Sequence, residues 1–319
     1  MNFLSMEVCN NRGTNICPKH QQPSQLMLRF VRRHARDLCL TSSGQERKNT
    51  EFLADSYIHF QNSKQIIDES ATCCLGLRML GGTNNAMFSH FSGFGTRGMQ
   101  AFLFDFDGTL VDSAPDLTRA LDSALTRAGL PGVGLELGTK MVGQGAGKLV
   151  EYALCHVTQD KNITMADPFC RLLLSVFLEE YEVVCAETSK LYPGAIEVIA
   201  TLKDRGKQVG LVTNKPRRFV DLMLPALNLH SVFDSIVAGD DLLTKKPDPA
   251  MVYKALTDMG VAPASACLVG DSIADLGAAR AAGVASILVS FGYAGSLKVH
   301  DCGADRVINH LMDLINNDT

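Results

Sequence analysis

Short, uninterrupted runs of apolar residues recur along the chain from residue 101 onward. The runs are rich in valine, isoleucine and leucine, and polar residues or glycine bound each of them. Such runs are typical of β-strands that are buried on both faces, as in a parallel sheet. Five strands are predicted in this way, at 101–104, 208–213, 235–239, 266–270 and 285–290.

Amphipathic segments of helical length separate the later runs. Proline often stands near the start of these segments and glycine after their end, which are the usual positions of these residues around a helix. Helices are predicted at 195–204, 216–227, 249–259 and 273–282. Strands that alternate with helices indicate an α/β fold, with a doubly wound, Rossmann-like parallel sheet.

One long stretch after the first strand breaks this alternation. It contains helical patterns but no strand-like run, and the patterns cover about 115–129, 139–157 and 167–187, with a loop at 131–138. Ser113 is the predicted N-cap of the first helix.

An inserted α-helical cap domain is therefore predicted at 115–187. It separates the two parts of the α/β core, 99–114 and 188–319. An insert at this point lies over the carboxyl end of the sheet, where folds of this class bind ligands.

The first 98 residues have a different character. They lack sustained periodicity, and 81–98 is a run rich in glycine, serine and asparagine, which is typical of loops or disorder. We predict that 1–98 is an extension, either disordered or a non-native upstream segment, and that the native protein starts at Met99.

Charge and composition exclude several classes of protein. The net charge is −4, which argues against a chain that binds nucleic acid through its overall charge. The sequence has no apolar stretch of about 18 residues, so a membrane span is not expected. The cysteines of 99–319 are widely spaced, which indicates reduced thiols and a cytoplasmic location.

Two aspartates follow the first predicted strand directly. Asp105 and Asp107 are two residues apart, so they face the same side of the strand. One aspartate can attack phosphorus and form an acyl phosphate, while the other donates and then removes a proton. Gly108 lets backbone N–H groups approach a phosphate closely. A turn with acidic residues at its rim is the competing interpretation.

A second acidic pair follows the strand predicted at 266–270. Asp271 comes directly after the strand, and Asp275 lies four residues further, at a helix start. Mg²⁺ prefers hard oxygen ligands such as these carboxylates. Asp271 is a candidate direct ligand, and Asp275 a candidate to hold a ligand water or the loop. Ordinary helix capping by Asp271 is the alternative.

Two further patterns supply groups for a phosphate. Thr213 and Asn214 end a strand before a helix, so their hydroxyl and amide suit phosphate oxygens. Lys246, held before Pro247, can neutralise charge on a phosphoryl group and a nearby aspartate. Each pattern alone also fits a helix cap or a surface loop. All four patterns together, each at a strand end, predict one phosphate site.

The segments DFDGTLVDS, LVTNKP, KKPDP and GDSIADLGAARAAG resemble the haloacid dehalogenase superfamily of phosphotransferases over about 99–319. The resemblance implies that Asp105 is the nucleophile and that Asp107 is the acid/base residue. A second aspartate at this position favours phosphate esters over dehalogenation.

The same resemblance implies the remaining roles in the site. Asp105, Asp271 and the backbone carbonyl of Asp107 would bind Mg²⁺, and Thr213 and Lys246 would bind phosphate. Asp275 matches the second acidic position of its motif.

Within the superfamily, the cap segment VGQGA at 142–146 is similar to VGNGA of the phosphoglycolate phosphatase family. The segments FGY at 291–293 and DRVI at 305–308 are also similar to that family. This implies hydrolysis of 2-phosphoglycolate, with Gln144 and Gly145 as the cap residues that contact substrate. Gln144 replaces the usual asparagine, and a flexible bend between cap helices is the alternative for this segment.

Three alternatives stay open. One is a phosphatase for another small ester, such as a sugar phosphate, and another is a phosphomutase of the same superfamily. The third is a binding or regulatory protein that has lost catalysis, which requires a broken motif, and every motif is intact. Its arginine-bearing stretch at 29–36 is the feature that would contact nucleic acid. The oligomeric state is not predicted.

Overall fold

The computed structural model describes residues 98–293 and 299–316. Apart from Gly98, the extension predicted at 1–98 lies outside the described residues. Within the described ranges, no helix combines the length and the apolar character needed to cross a lipid bilayer.

Strands predicted from the apolar runs form one parallel sheet. The strands of the described chain are β1 (Ala101–Phe104), β2 (Val111–Asp112), β3 (Lys190–Leu191), β4 (Gln208–Val212), β5 (Ser235–Val237), β6 (Ala266–Gly270), β7 (Ala285–Val289) and β8 (Arg306–Ile308). Six of them are joined side by side in the order β5-β4-β1-β6-β7-β8. The five predicted strands are confirmed, with ends that differ by two residues at most.

The first strand is the centre of the sheet. Phe104 at its carboxyl end pairs with Leu211 of β4 on one side and Val269 of β6 on the other. All four residues of β1 are at most 1% exposed. Each large apolar side chain buried in this way contributes about 1.5–3 kcal/mol to folding, so the end of β1 is held rigidly.

Four helices lie between β2 and β3. They are α1 (Ala114–Arg127), α2 (Leu135–Met141), α3 (Ala146–Thr158) and α4 (Pro168–Val184). Glu180 of α4 joins it to α1, because its carboxylate accepts hydrogen bonds from Ser123 and Arg127, each at 2.6 Å. A helical insert is confirmed at this place in the chain, and the boundaries 115–187 stay a prediction.

Two details of the predicted insert are wrong. The loop predicted at 131–138 contains the start of α2, and the helix predicted at 139–157 is interrupted between α2 and α3. Gly143 and Gly145 cause the interruption, because their φ angles of 115° and 88° lie outside the helical region.

The core helices follow the prediction closely. They are α5 (Ala195–Asp204), α6 (Arg217–Ala226), α7 (Ala250–Met259) and α8 (Ile273–Ala282), followed by the short α9 (Asp313–Asn316). The last residues of α7 and α8 are followed by Gly260 and Gly283, which adopt the left-handed conformation at φ 67° and 70°.

The sequence did not predict strands β2, β3 and β8. They contain two or three residues each, which is too short to produce a recognisable period. β2 and β3 pair antiparallel and form the two crossings between core and cap.

Asp116, in α1, links the two chain segments that connect the core and the cap. Its fully buried carboxylate accepts hydrogen bonds from the backbone and hydroxyl groups of Thr188 and Ser189, just before β3. Burial opposes ionisation, but these hydrogen bonds hold the pKa of Asp116 below its usual value. The carboxylate therefore stabilises the folded state at neutral pH.

We expect Asp116→Asn to lower the free energy of unfolding at neutral pH by about 1–3 kcal/mol, because an amide NH₂ replaces an acceptor facing these donors. Since the folded pKa is depressed, the wild-type advantage is present at neutral pH and is lost as the pH falls through that pKa. Urea unfolding of both proteins at neutral and acidic pH measures this difference.

Asp221→Asn is the control for this experiment. Asp221 is exposed and its partner Arg217 is 3.7 Å away, so we expect a change below about 0.5 kcal/mol. The role given to Asp116 is contradicted if both variants lose the same free energy of unfolding. It is also contradicted if the difference between wild type and Asp116→Asn is as large at acidic pH as at neutral pH.

Candidate active site

The carboxyl ends of three neighbouring strands bring the predicted residues together. Asp105 follows β1, Thr213 follows β4 and Asp271 follows β6. Because β4 and β6 flank β1 in the sheet, these side chains meet at one edge, and all three line the same cavity. The cavity has a volume of about 80 Å³.

The two carboxylate oxygens of Asp105 differ in their surroundings. Oδ1 accepts a hydrogen bond from the Phe106 backbone at 2.7 Å and lies 3.0 Å from Nζ of Lys246. Oδ2 has no such partner among the described residues. Burial raises the pKa of Asp105 to about 6, although the charge of Lys246 opposes the shift. One oxygen is thus anchored and the other is left for a ligand.

Lys246 links Asp105 to the second acidic motif. Its ammonium lies 2.6 Å from Oδ1 of Asp275 and also donates to the carbonyl of Val212 at 2.7 Å. Its side chain is 1% exposed. Burial alone would lower the pKa of Lys246, but Asp105 and Asp275 raise it above its usual value. Lys246 therefore stays positively charged between two carboxylates.

Asn214 fixes the backbone of Lys246. Its side-chain Nδ2 donates to the Lys246 carbonyl at 3.0 Å, and its Oδ1 accepts from the Lys246 N–H at 2.9 Å. Both ends of the amide are used in this way. The phosphate contact predicted for Asn214 stays a prediction. In the structure its side chain holds the backbone of Lys246 in place.

Three buried carboxylates offer a place for a metal ion. Oxygens of Asp105, Asp271 and Asp275 all lie within 4.8 Å of one another. Burial, together with the charges of Asp275 and Asp105, raises the pKa of Asp271 well above its usual range. One ammonium, that of Lys246, faces three carboxyl groups, so full ionisation of the cluster requires further positive charge, which a divalent cation would supply.

The oxygens of Asp275 are already engaged. Oδ1 faces Lys246, and Oδ2 accepts hydrogen bonds from the backbone and hydroxyl of Ser272 at 3.0 and 2.5 Å. Ser272 in turn caps α8 and completes a capping box with Asp275. Asp275 thus supports Lys246 and the loop that carries Asp271.

Asp107 has a different set of partners. Its carboxylate accepts a hydrogen bond from Ser113 at 2.6 Å and from Lys215, with both oxygens 3.0 Å from Nζ. Ser113 occupies the N-cap position of α1, but its side chain makes no capping hydrogen bond, so the predicted capping role is wrong. The hydroxyl of Ser113 donates to Asp107, and its oxygen accepts no hydrogen bond from the first turn of α1.

Lys215 and Tyr181 were not predicted as site residues. The ammonium of Lys215, whose side chain is 3% exposed, also lies 2.7 Å from the hydroxyl of Tyr181 in cap helix α4. Burial raises the pKa of Tyr181 well above its usual value, so that hydroxyl is neutral. Lys215 directly follows the Thr213-Asn214 pair, which is the one sequence signal that points to it.

The cap lines the cavity mainly with apolar groups, such as Leu149 and Phe177, and with the backbone of Gly145. Gln144 is not among the lining residues, and its Oε1 instead accepts a hydrogen bond from Tyr152 at 3.0 Å on the exposed side. The predicted substrate contacts of Gln144 and Gly145 stay predictions, and the side chain of Gln144 faces away in this arrangement.

Gly108 is needed for close packing against Asp271. Its φ is 81°, and a Cβ placed on it would lie 2.2 Å from Oδ2 of Asp271. Its N–H donates to the carbonyl of Val111 at 2.8 Å, so this group closes the turn. The Oδ2 that Gly108 accommodates also accepts the backbone N–H of Tyr293, a contact that the sequence did not predict. The phosphate contact of Gly108 stays a prediction.

Known proteins resemble this chain over most of the sheet and the helical insert, from β1 to β7 in the family match. The haloacid dehalogenase-like hydrolase family matches residues 102–289. Phosphoglycolate phosphatase 1 of Pseudomonas aeruginosa is 38% identical over 222 residues, which are 70% of this chain and 80% of that protein.

Two solved structures extend the comparison. A predicted phosphoglycolate phosphatase from Haemophilus somnus has a TM-score of 0.63 and 29% identity, over 68% of this chain and 96% of the other. A mutant of CbbY from Rhodobacter sphaeroides, in complex with xylulose-(1,5)bisphosphate, has a TM-score of 0.56 and 26% identity, also over 68% of this chain and 96% of the other.

We expect Gly108→Ala to destabilise the protein more than Gly206→Ala. Both glycines have a left-handed φ, 81° and 71°, so both substitutions introduce about 1–2 kcal/mol of backbone strain. The space around Gly206 is open, whereas a methyl group at Gly108 collides with Asp271, which adds about 1–3 kcal/mol. Urea unfolding of the two variants measures the difference, and equal destabilisation would show that this contact is not tight.

Proposed function

The chain belongs to the haloacid dehalogenase-like hydrolase family, and from this premise we propose that it is a Mg²⁺-dependent phosphatase that hydrolyses 2-phosphoglycolate to glycolate and phosphate. The observation that carries the proposal is the pair Asp105 and Asp107 on one cavity wall, each with a lysine 3.0 Å away. The likeness to phosphoglycolate phosphatase 1 supports the choice of substrate.

In the first step, Oδ2 of Asp105 attacks phosphorus, and the bond between phosphorus and the ester oxygen breaks. Asp107 gives its proton to that oxygen, so glycolate leaves as an alcohol rather than as an alkoxide. Thr213 and Lys246 hold the phosphoryl oxygens, and Lys246 balances their charge. The product of this step is an aspartyl phosphate on Asp105.

In the second step, the carboxylate of Asp107 takes a proton from water, and the water oxygen attacks the same phosphorus. The bond between phosphorus and Asp105 breaks, which releases phosphate and returns both aspartates to their starting states. The apolar cap surface around Leu149 and Phe177 excludes bulk water from the cavity during the first step.

Asp105 and Asp271, with the backbone carbonyl of Asp107, are the groups proposed to hold Mg²⁺. The grouping of three buried carboxyl groups around the single ammonium of Lys246 supports this assignment. When bound, the ion would neutralise charge on the phosphoryl oxygens. Asp275 keeps its supporting position through Lys246 and Ser272.

A sugar-phosphate phosphatase or a phosphomutase is the second candidate. The likeness to CbbY, which binds xylulose-(1,5)bisphosphate, favours it. A mutase differs in the group that accepts the phosphoryl, so it returns an isomerised phosphate ester instead of free phosphate.

The location proposed for this enzyme is the cytoplasm. Four cysteines of the described residues, Cys155, Cys170, Cys185 and Cys267, are free thiols. Free thiols are typical of reducing compartments, which supports the proposal.

A panel of small phosphate esters tests the proposed function. The purified protein is assayed for phosphate release from 2-phosphoglycolate, ethyl phosphate and several sugar phosphates, after chelation with EDTA and after addition of Mg²⁺. We expect the highest kcat/KM for 2-phosphoglycolate, no turnover after chelation and recovery with Mg²⁺.

Each other result of the panel has a defined meaning. A higher kcat/KM for a sugar phosphate favours the second candidate, and isomerisation without phosphate release identifies a mutase. Full activity after exhaustive chelation refutes the metal site, and no turnover of any ester indicates a binding protein.

Substitution of the two aspartates after β1 should affect activity in different ways. Asp105→Asn removes the nucleophile, so turnover should vanish. Asp107→Asn keeps the nucleophile but loses the proton donor and base, and we expect kcat for 2-phosphoglycolate to fall by about 10²–10⁴-fold. With p-nitrophenyl phosphate, whose leaving group needs little protonation, Asp107→Asn should give a burst of nitrophenol and then a slow steady state.

Rapid-quench measurement at enzyme concentrations near that of the substrate detects this burst. Both substitutions are nearly isosteric, so thermal unfolding controls for loss of fold. A burst in Asp105→Asn and none in Asp107→Asn would reverse the two roles.

A further inference from the structure

Lys215 is a buried cation to which the proposed mechanism gives no role in either step. The other buried lysine of the site, Lys246, is held between Asp105 and Asp275. The ammonium of Lys215 lies beside Asp107 and the hydroxyl of Tyr181, and the residue lines the cavity. Burying an ammonium is costly unless it has anionic partners, and among the described residues the carboxylate that Lys215 contacts is that of Asp107.

The cap offers no comparable charge to a ligand. Lys148, in the first turn of α3, pairs with Glu151 at 2.6 Å, and its side chain is 48% exposed. Among the described residues that line the cavity, Lys215 is the one that carries a positive charge. A second negative group on the substrate would therefore find its counter-charge on the core side, at Lys215.

The position of Lys215 matches that second group in space. In the proposed mechanism Asp107 protonates the oxygen that leaves with glycolate, and Nζ of Lys215 lies 3.0 Å from both carboxylate oxygens of Asp107. In glycolate the carboxyl carbon is two bonds from that leaving oxygen. A carboxylate so close to the leaving oxygen reaches the ammonium, whereas a more distant charge on a longer substrate does not.

Building on the proposed function, we propose that Lys215 determines specificity by binding the carboxylate of the substrate, with the hydroxyl of Tyr181 holding its ammonium in place. The substrate class is a small phosphate monoester with a carboxylate on the carbon that bears the ester oxygen. A buried ammonium built to meet a carboxylate rejects an analogue that lacks one, because the charge then stays partly unpaired.

The experiment compares 2-phosphoglycolate with ethyl phosphate, which has a methyl group in place of the carboxylate. For the full-length wild-type protein and for Lys215→Met, kcat and KM are measured with both esters in Mg²⁺. We expect the wild type to prefer 2-phosphoglycolate and Lys215→Met to lose about 10–100-fold of that preference, mainly through KM. Because Asp107 acts on both esters, a general effect of the substitution on Asp107 cancels in the ratio of their kcat/KM values.

Three further variants sharpen the test. Lys148→Met removes a cap lysine near the cavity, and it should leave the preference unchanged. Lys215→Gln, which keeps a polar end beside Asp107 and Tyr181, should lose the preference like Lys215→Met and serves if that variant does not fold. Tyr181→Phe should reduce the preference by about 2–10-fold, since one hydrogen bond to the ammonium is lost.

The outcomes separate the two proposals. If the wild type hydrolyses 2-phosphoglycolate but Lys215→Met and Lys215→Gln lose both substrates equally, the proposed function stands and Lys215 only positions Asp107. If the wild type shows no preference for 2-phosphoglycolate over ethyl phosphate, the specificity role is also wrong. If the wild type does not hydrolyse 2-phosphoglycolate, the proposed function fails and the specificity role fails with it.

Discussion

The placement of Lys246 is the interaction on which the site depends. Three buried carboxylates lie close together, and like charges at buried positions repel each other strongly. Lys246 contacts two of them, and Asn214 fixes its backbone from the next strand end. The sheet, the capping box of α8 and this lysine thus form one unit. The negative charge that Lys246 leaves unbalanced would attract a divalent cation, which in turn would attract a phosphate.

Core and cap contribute different properties to the cavity. Charged groups come from the ends of rigid strands, where register and burial fix them, while the cap contributes apolar side chains and glycine backbone. Tyr181 is the exception, because its hydroxyl reaches the core through Lys215. The crossings at β2 and β3, tied by Asp116, join the two parts, so the position of the cap is coupled to the strand that carries the aspartates.

Much of this arrangement could be predicted from the sequence, because apolar strand runs that end in Asp105, Thr213 or Asp271 indicate both the fold and the edge at which the residues meet. Interactions between distant residues could not be predicted. Ser113 has the sequence position of a helix N-cap, but in the fold its hydroxyl donates to Asp107. No local sequence pattern shows that Tyr181 contacts Lys215. Short strands such as β8 and the glycine break between α2 and α3 depend on tertiary packing that periodicity does not reveal.

The formation of an acyl phosphate on Asp105 is the central claim, and borohydride trapping tests it most directly. Borohydride reduces an aspartyl phosphate to homoserine, so protein quenched during turnover of 2-phosphoglycolate and then reduced is digested and its peptides are sequenced by mass spectrometry. The account predicts homoserine at position 105 only when substrate is present. Homoserine at another aspartate, or none at position 105 while phosphate is being released, would contradict it.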